Sequence, residues 1–181
     1  MAQYSIVTPP VGGVLSLATL KAFLRIDASN TSEDALLTMF MSSVQSTFER
    51  YAGLVLQPTT FKLITTAPQI QTVVTIAKSP VTSFTSVKIW DGTAFVVTDY
   101  EGVDGYNAHV HISGSTLSDT LHDKCEIIFI AGLTTIPEDL KLAMYQHCAY
   151  VYENRGDCPI ESGAFPSQVK DVYNSYKVLW I

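Results

Sequence analysis

Few residues in this chain are spaced for chemistry, and His109-Val110-His111 comes first among them. Alternate residues of a strand project from one face, so these two imidazoles could share a metal ion. A structural zinc site takes about four ligands, and the rest would have to come from His122 or a distant carboxylate. A small metal-dependent hydrolase using His109, His111 and one carboxylate is therefore a remote alternative. His147 beside Cys148 is a base next to a thiol, but adjacent helix residues do not face each other, and a partly buried core histidine is the stronger reading. Cys125, Cys148 and Cys158 are odd in number and spaced as neither a metal knuckle nor a redox pair, so they read as reduced thiols. Glu33-Asp34 and Glu138-Asp139 are paired carboxylates, yet each pair opens a predicted helix, where attraction to exposed backbone N–H groups accounts for them. The chain has no nucleophile elbow, no glycine-rich phosphate loop and no His-Glu-x-x-His. A binding or structural protein with no enzymatic activity and no cofactor is expected.

The elements carrying these residues follow from periodicity. Leu17, Leu20 and Leu24 lie at helical spacing behind Ser16, a credible N-cap. After the polar break Asp27 to Asn30, Thr31-Ser32-Glu33-Asp34 offers a capping hydroxyl three residues before a carboxylate. Leu37, Met41, Val44, Phe48 and Tyr51 then form an apolar stripe that Gly53 can end in the left-handed conformation. Residues 15–56 thus read as helical. Over 59–133 the period is two, predicting strands at 59–66, 70–76, 83–90, 94–98, 109–112 and 125–131 in a small antiparallel sheet or barrel. Asp91-Gly92 suits a tight primed hairpin turn, and 102–107 and 113–122 read as loops.

Helical spacing returns over 135–155, with Thr135-Ile136-Pro137-Glu138 as a capping box, Leu140, Met144, His147 and Val151 as the stripe and Gly156 as the end. A weaker helical signal at Val169, Val172, Tyr173 and Tyr176 leads to the final Lys177-Val178-Leu179-Trp180-Ile181. The expected fold is α+β: one domain over 1–181, with a helical core of two N-terminal helices plus one long later helix, an inserted antiparallel β module, and an extended C-terminal arm over 157–181.

Composition narrows the function further. With 47% hydrophobic residues in 181, the chain can bury a real core. No apolar run approaches the length of a membrane span, and the N-terminus has neither a basic cluster nor an apolar signal core, so synthesis in the cytosol is expected. Eleven Lys+Arg against seventeen Asp+Glu gives a net charge of −6 with no basic cluster, which argues against gripping a phosphate backbone. Only 15% of residues are charged, well under the usual level of about a quarter. Such a surface suits coverage by copies of the same chain, and Ser/Thr-rich strand faces also explain it. The terminus is the oddest feature: chain ends are usually polar and frayed, whereas this one closes on four apolar residues including Trp180. It either folds back on its own core or anchors in a partner's groove, where aromatic residues concentrate binding energy.

Several stretches, taken in order, resemble the bacteriophage head–tail connector (gp6-like adaptor) family and its longer phage connector subfamily. They are Leu15 to Asp27, Glu33-Asp34-Ala35-Leu36-Leu37, Phe48-Glu49-Arg50-Tyr51-Ala52-Gly53, Pro80-Val81-Thr82-Ser83 with Val87-Lys88-Ile89-Trp90, and Ala131 through Ile136-Pro137-Glu138-Asp139-Leu140-Lys141 to Arg155. The resemblance implies a structural adaptor: a ring of identical subunits, twelve in number, beneath the portal protein, extending the DNA channel and joining head to neck or tail. It further implies portal binding through the C-terminal segment Tyr176, Lys177, Val178, Leu179, Trp180 and Ile181. Other implied partners are a neck stopper or tail-completion protein below and double-stranded DNA passing through the lumen without sequence-specific contact. The implied location is the virion neck, reached from the host cytoplasm during assembly. A neck stopper or tail-completion protein is the nearest alternative, and a monomeric binding module a further one.

Overall fold

The computed structural model describes residues 2–66, 72–112, 124–155 and 166–178. The chain divides into two compact units: Met1–Val11, Gln57–Thr134 and Val178–Ile181 in one, Gly12–Leu56 and Thr135–Lys177 in the other. The first carries strands and the second helices, matching the α+β class expected from periodicity.

The helical unit holds α1 (Leu17–Phe23), α2 (Asp34–Ala52), α3 (Glu138–Glu153) and α4 (Ser167–Ser175). Ser16 caps α1 as expected, its side chain accepting from the Thr19 N–H at 3.4 Å. The α2 stripe turns Leu37, Phe40, Val44 and Phe48 inward, against Leu140, Ala143 and Met144 of α3 in the unit's core. Gly53 ends α2 at φ 72°, a left-handed conformation that costs glycine little.

Two capping boxes expected from sequence do not form. The box expected from Thr31 to Asp34 fails because α2 starts later: Glu33 takes its N-cap position without a side-chain cap bond, and the neighbouring Ser32 hydroxyl donates to Asn30 Oδ1 at 2.7 Å. The Glu33 carboxylate instead accepts from the Tyr152 hydroxyl at 2.6 Å and from Arg155 at 2.9 Å, near the far end of α3. Pro137 is the N-cap of α3 and offers no hydroxyl, so Glu138 and Asp139 act there through charge near the exposed N–H groups. The arm expected to be extended over 157–181 contains the helix α4, whose Val169 and Tyr173 are buried.

The strand unit holds β1 (Gln3–Thr8), β2 (Thr59–Thr65), β3 (Thr72–Thr75), β4 (Val81–Trp90), β5 (Phe95–Val97), β6 (Tyr100–Val103), β7 (His109–Ile112) and β8 (Cys125–Ala131). All pairings are antiparallel, in a five-stranded sheet ordered β1-β2-β8-β4-β5 and a three-stranded sheet ordered β3-β7-β6. The central strand β8 buries Cys125, Ile127, Phe129 and Ala131 in strict alternation, with Glu126, Ile128 and Ile130 on the other face. Phe129 is the hub of the core, its ring centroid 5.7 Å from Phe61, 6.3 Å from Phe84 and 6.5 Å from Tyr4.

All six expected strands are present, and two more join them. β1 escapes the alternation test because most of it is exposed. β6 begins ahead of the segment read as a loop and runs into it through Gly102, which serves close packing: a Cβ there would lie 2.5 Å from the Phe84 ring. The β4–β5 hairpin forms, but not by a tight primed turn. That turn needs positive φ at both central residues, and among the described residues the only positive-φ non-glycine is Arg25. The Asp91 carboxylate instead accepts from the Thr93 and Ala94 N–H groups at 2.7 and 2.8 Å. Those bonds, Ala94 first, hold the Asp91 carboxyl below its ordinary range. The expected loop at 113–122, with His122, and the connector residues 156–165, with Cys158, fall outside the described residues.

Candidate functional site

The segment singled out by sequence begins where α4 ends, and its first residues are held by the helical unit. α4 is seated by Tyr173, fully buried with its ring 4.7 Å from Phe48 and 5.9 Å from His147. The Tyr173 hydroxyl stands 3.2 Å from His147 Nδ1. Burial pushes the Tyr173 phenol up and the His147 imidazolium down to about 4, so at neutral pH both are uncharged core groups.

The last turn of α4 adds polar ties. Tyr51 of α2 donates to Asn174 Oδ1. The Tyr176 hydroxyl lies 2.8 and 2.9 Å from the two carboxylate oxygens of Asp139 on α3. The Lys177 ammonium sits 5.4 Å from the centroid of the Tyr51 ring, within cation–π range. Of the six residues expected to bind a partner, Tyr176 and Val178 are half-buried and Lys177 is exposed. Leu179, Trp180 and Ile181 lie outside the described residues.

Sequence reading missed Tyr51, Asp139 and Asn174 as supports of this segment. Tyr51 was visible as the end of the α2 stripe and Asp139 as a first-turn acid, but no local pattern joins Tyr51 to Asn174, 123 positions on, or Asp139 to Tyr176, 37 positions on.

The groups considered for catalysis are arranged otherwise. His109 and His111 do share a face of β7, ring centroids 5.0 Å apart, and the β6 register sets Glu101 opposite His111 and Val103 opposite His109. Among the described residues no cluster of three or more His, Cys, Asp or Glu is placed to hold a metal ion. The Cys148 thiol is buried and pushed up to about 12, and Cys125 to about 11. Neither supplies a thiolate near neutral pH. His147 Nδ1 faces the Tyr173 hydroxyl. Glu33-Asp34 and Glu138-Asp139 are spent on ties within the helical unit: Asp34 on Lys21 at 2.5 Å, Glu138 on Lys141 at 2.6 Å, Glu33 and Asp139 as above. Among the described residues no helix is long and apolar enough to cross a membrane.

Residues 14–91 match the model of the family described as phage gp6-like head-tail connector protein. The match spans 78 of the 181 residues. The matched stretch runs from α1 through β4 and holds all the resembling segments quoted above except Ala131 to Arg155; the C-terminal segment also lies beyond it. No curated protein sequence matches the chain significantly. Among solved structures, a chain from the neck of an empty GTA particle, computed with C6 symmetry, is similar at 22% identity with a TM-score of 0.77, the match covering 99% of this chain and 97% of that one. A chain from the virion of a native gene transfer agent particle is similar at 23% identity, TM-score 0.74, with coverage of 99% and 97%. A third, from the neck of a native GTA particle computed with C12 symmetry, is similar at 22% identity, TM-score 0.67, with coverage of 97% and 97%. At these identities the likeness is one of fold.

Proposed function

We propose that this protein is a structural, non-enzymatic head–tail connector of a tailed bacteriophage or phage-like particle. The observation that carries the reading is the fold match to a particle-neck chain over 99% of this chain and 97% of that one, joined to the connector family signature over 14–91. The subunits form a ring beneath the portal protein, extend the DNA channel and join the head to the neck or tail component below. Twelve copies is the number proposed, supported by a similar fold in a neck computed with C12 symmetry. The protein works in the virion neck, after assembly in the host cytoplasm.

Charge suits this role. At −6 per chain, twelve copies carry a formal −72, and duplex DNA passing such a wall is repelled. Portal docking is assigned to the C-terminal segment Tyr176 to Ile181, whose apolar end includes Trp180. A buried aromatic or aliphatic anchor contributes on the order of 2 kcal/mol, and twelve on one ring act together by avidity.

The test is to offer the purified protein isolated portal rings and isolated tails. A connector binds portal rings and forms closed rings on them. Binding to tails alone would make it a stopper or tail-completion protein.

A further inference from the structure

Resting on the connector reading, and narrowing the docking segment from Tyr176–Ile181, we propose that Tyr176 and Lys177 are positioning residues that do not themselves dock on the portal. They clamp the end of α4 to α2 and α3, so that the strip offered to the portal starts at Val178.

Each of the last four residues of the helical unit's polar end has a structural task. Asn174 accepts from Tyr51, Ser175 donates to the Val172 carbonyl at 2.7 Å, Tyr176 reaches both oxygens of Asp139, and Lys177 lies over the Tyr51 ring. The backbone closes in the same place, with the Tyr176 N–H donating to the Tyr173 carbonyl at 3.3 Å and the Lys177 N–H to the Asn174 carbonyl at 3.2 Å. Tyr173 and Val169, both buried, hold the preceding turns. The helical unit also ends at Lys177. A phenol bonded to a carboxylate makes one of the stronger hydrogen bonds available to a side chain, and it would have to be broken before Tyr176 could turn to another protein.

The advantage is preorganisation. A docking strip that leaves the subunit from a fixed point loses less conformational entropy on binding than one on a free tether. In a ring that advantage recurs at every subunit.

The experiment measures portal-ring affinity for the wild type, Tyr176→Phe, Asp139→Ala, the double variant and Asp139→Asn, and in the free chain follows amide exchange over 167–177. The clamp predicts that Tyr176→Phe and Asp139→Ala each weaken binding about fivefold, the factor of one ordinary hydrogen bond. The double variant should be no weaker than either single one, and Asp139→Asn, which keeps an acceptor, should recover most of the loss. Amide exchange over 170–177 should quicken in the weakened variants while the melting temperature holds within about 2 °C. Normal binding by Asp139→Ala alongside a loss in Tyr176→Phe would overturn the proposal and put Tyr176 on the portal. Unchanged exchange in both variants would overturn it as well. If the wild type ignores portal rings, the connector reading fails, and the exchange data then decide the clamp by themselves.

Discussion

At the scale of single residues, the molecule's polar groups serve its own folding. Lys21 is 5% exposed, yet its ammonium reaches Asp34 at 2.5 Å and the Asn30 and Ala28 carbonyls at 2.9 and 3.4 Å. Two donors thus go to carbonyls and Asp34 meets the charge, as a buried ammonium requires. Lys21→Ala leaves Asp34 and two carbonyls without this partner and is expected to lower stability by about 2 kcal/mol, read as a shift of the urea midpoint; the part-exposed Asp34 keeps the figure below that of a fully buried pair. His147 gives a pH signature. Its folded pKa of about 4 lies below the ordinary value of about 6.5, so the unfolded chain binds its proton first. Stability is unaffected above about pH 6.5, falls as the pH drops towards 4, and loses up to about 3 kcal/mol. The lowered carboxyls of Asp27, Glu33 and Asp91 act in a lower window, their contribution fading only as the pH falls below about 4.5. Urea titrations between pH 7.5 and 5 should thus show the slope in the wild type and a flat line in His147→Leu.

At the scale of elements, interiors were legible and edges were not. β8 and the α2 stripe bury one face each, so their periods appear in the sequence as alternation and as three-to-four spacing. β1 at a sheet edge has almost no buried residue to mark a period. β4 is subtler: register shifts at Val81/Ser83 and Phe84/Ser86 bring Val81, Phe84 and Val87, spaced by three, to the same face, which pure alternation would split. The caps of α2 and α3 were misjudged because the Glu33 side chain has partners in Tyr152 and Arg155, which no window around Glu33 contains. The proposed docking segment stands out in the sequence as a run of apolar residues, while the contacts that hold Tyr176 and Lys177 join residues distant in sequence and do not. Gly132, at the end of β8, was seen only as part of a resembling run. It stands at φ 145°, and a Cβ there would come within 2.4 Å of the Gln57 backbone. Gly132→Ala is therefore expected to cost at least about 2 kcal/mol, measured by thermal unfolding, whereas Gly92→Ala, at φ 103° but with open space around it, should cost less.

At the scale of the whole molecule, the proposed connector role asks a chain with 15% charged residues and a net charge of −6 to pack against its own copies and to let DNA slide by. The purified protein should accordingly leave duplex DNA unshifted in a gel at physiological salt; retention of DNA would contradict a passive channel wall. The connector reading assigns the work of attachment to a few apolar residues at the carboxyl end, carried on a helix whose root is tied to the subunit. The most direct measurement is therefore portal-ring binding by a chain ending at Val178, without Leu179, Trp180 and Ile181. The account predicts a protein that melts at the wild-type temperature and fails to bind portal rings or to join heads to tails. Wild-type binding and joining by that shortened chain would contradict it.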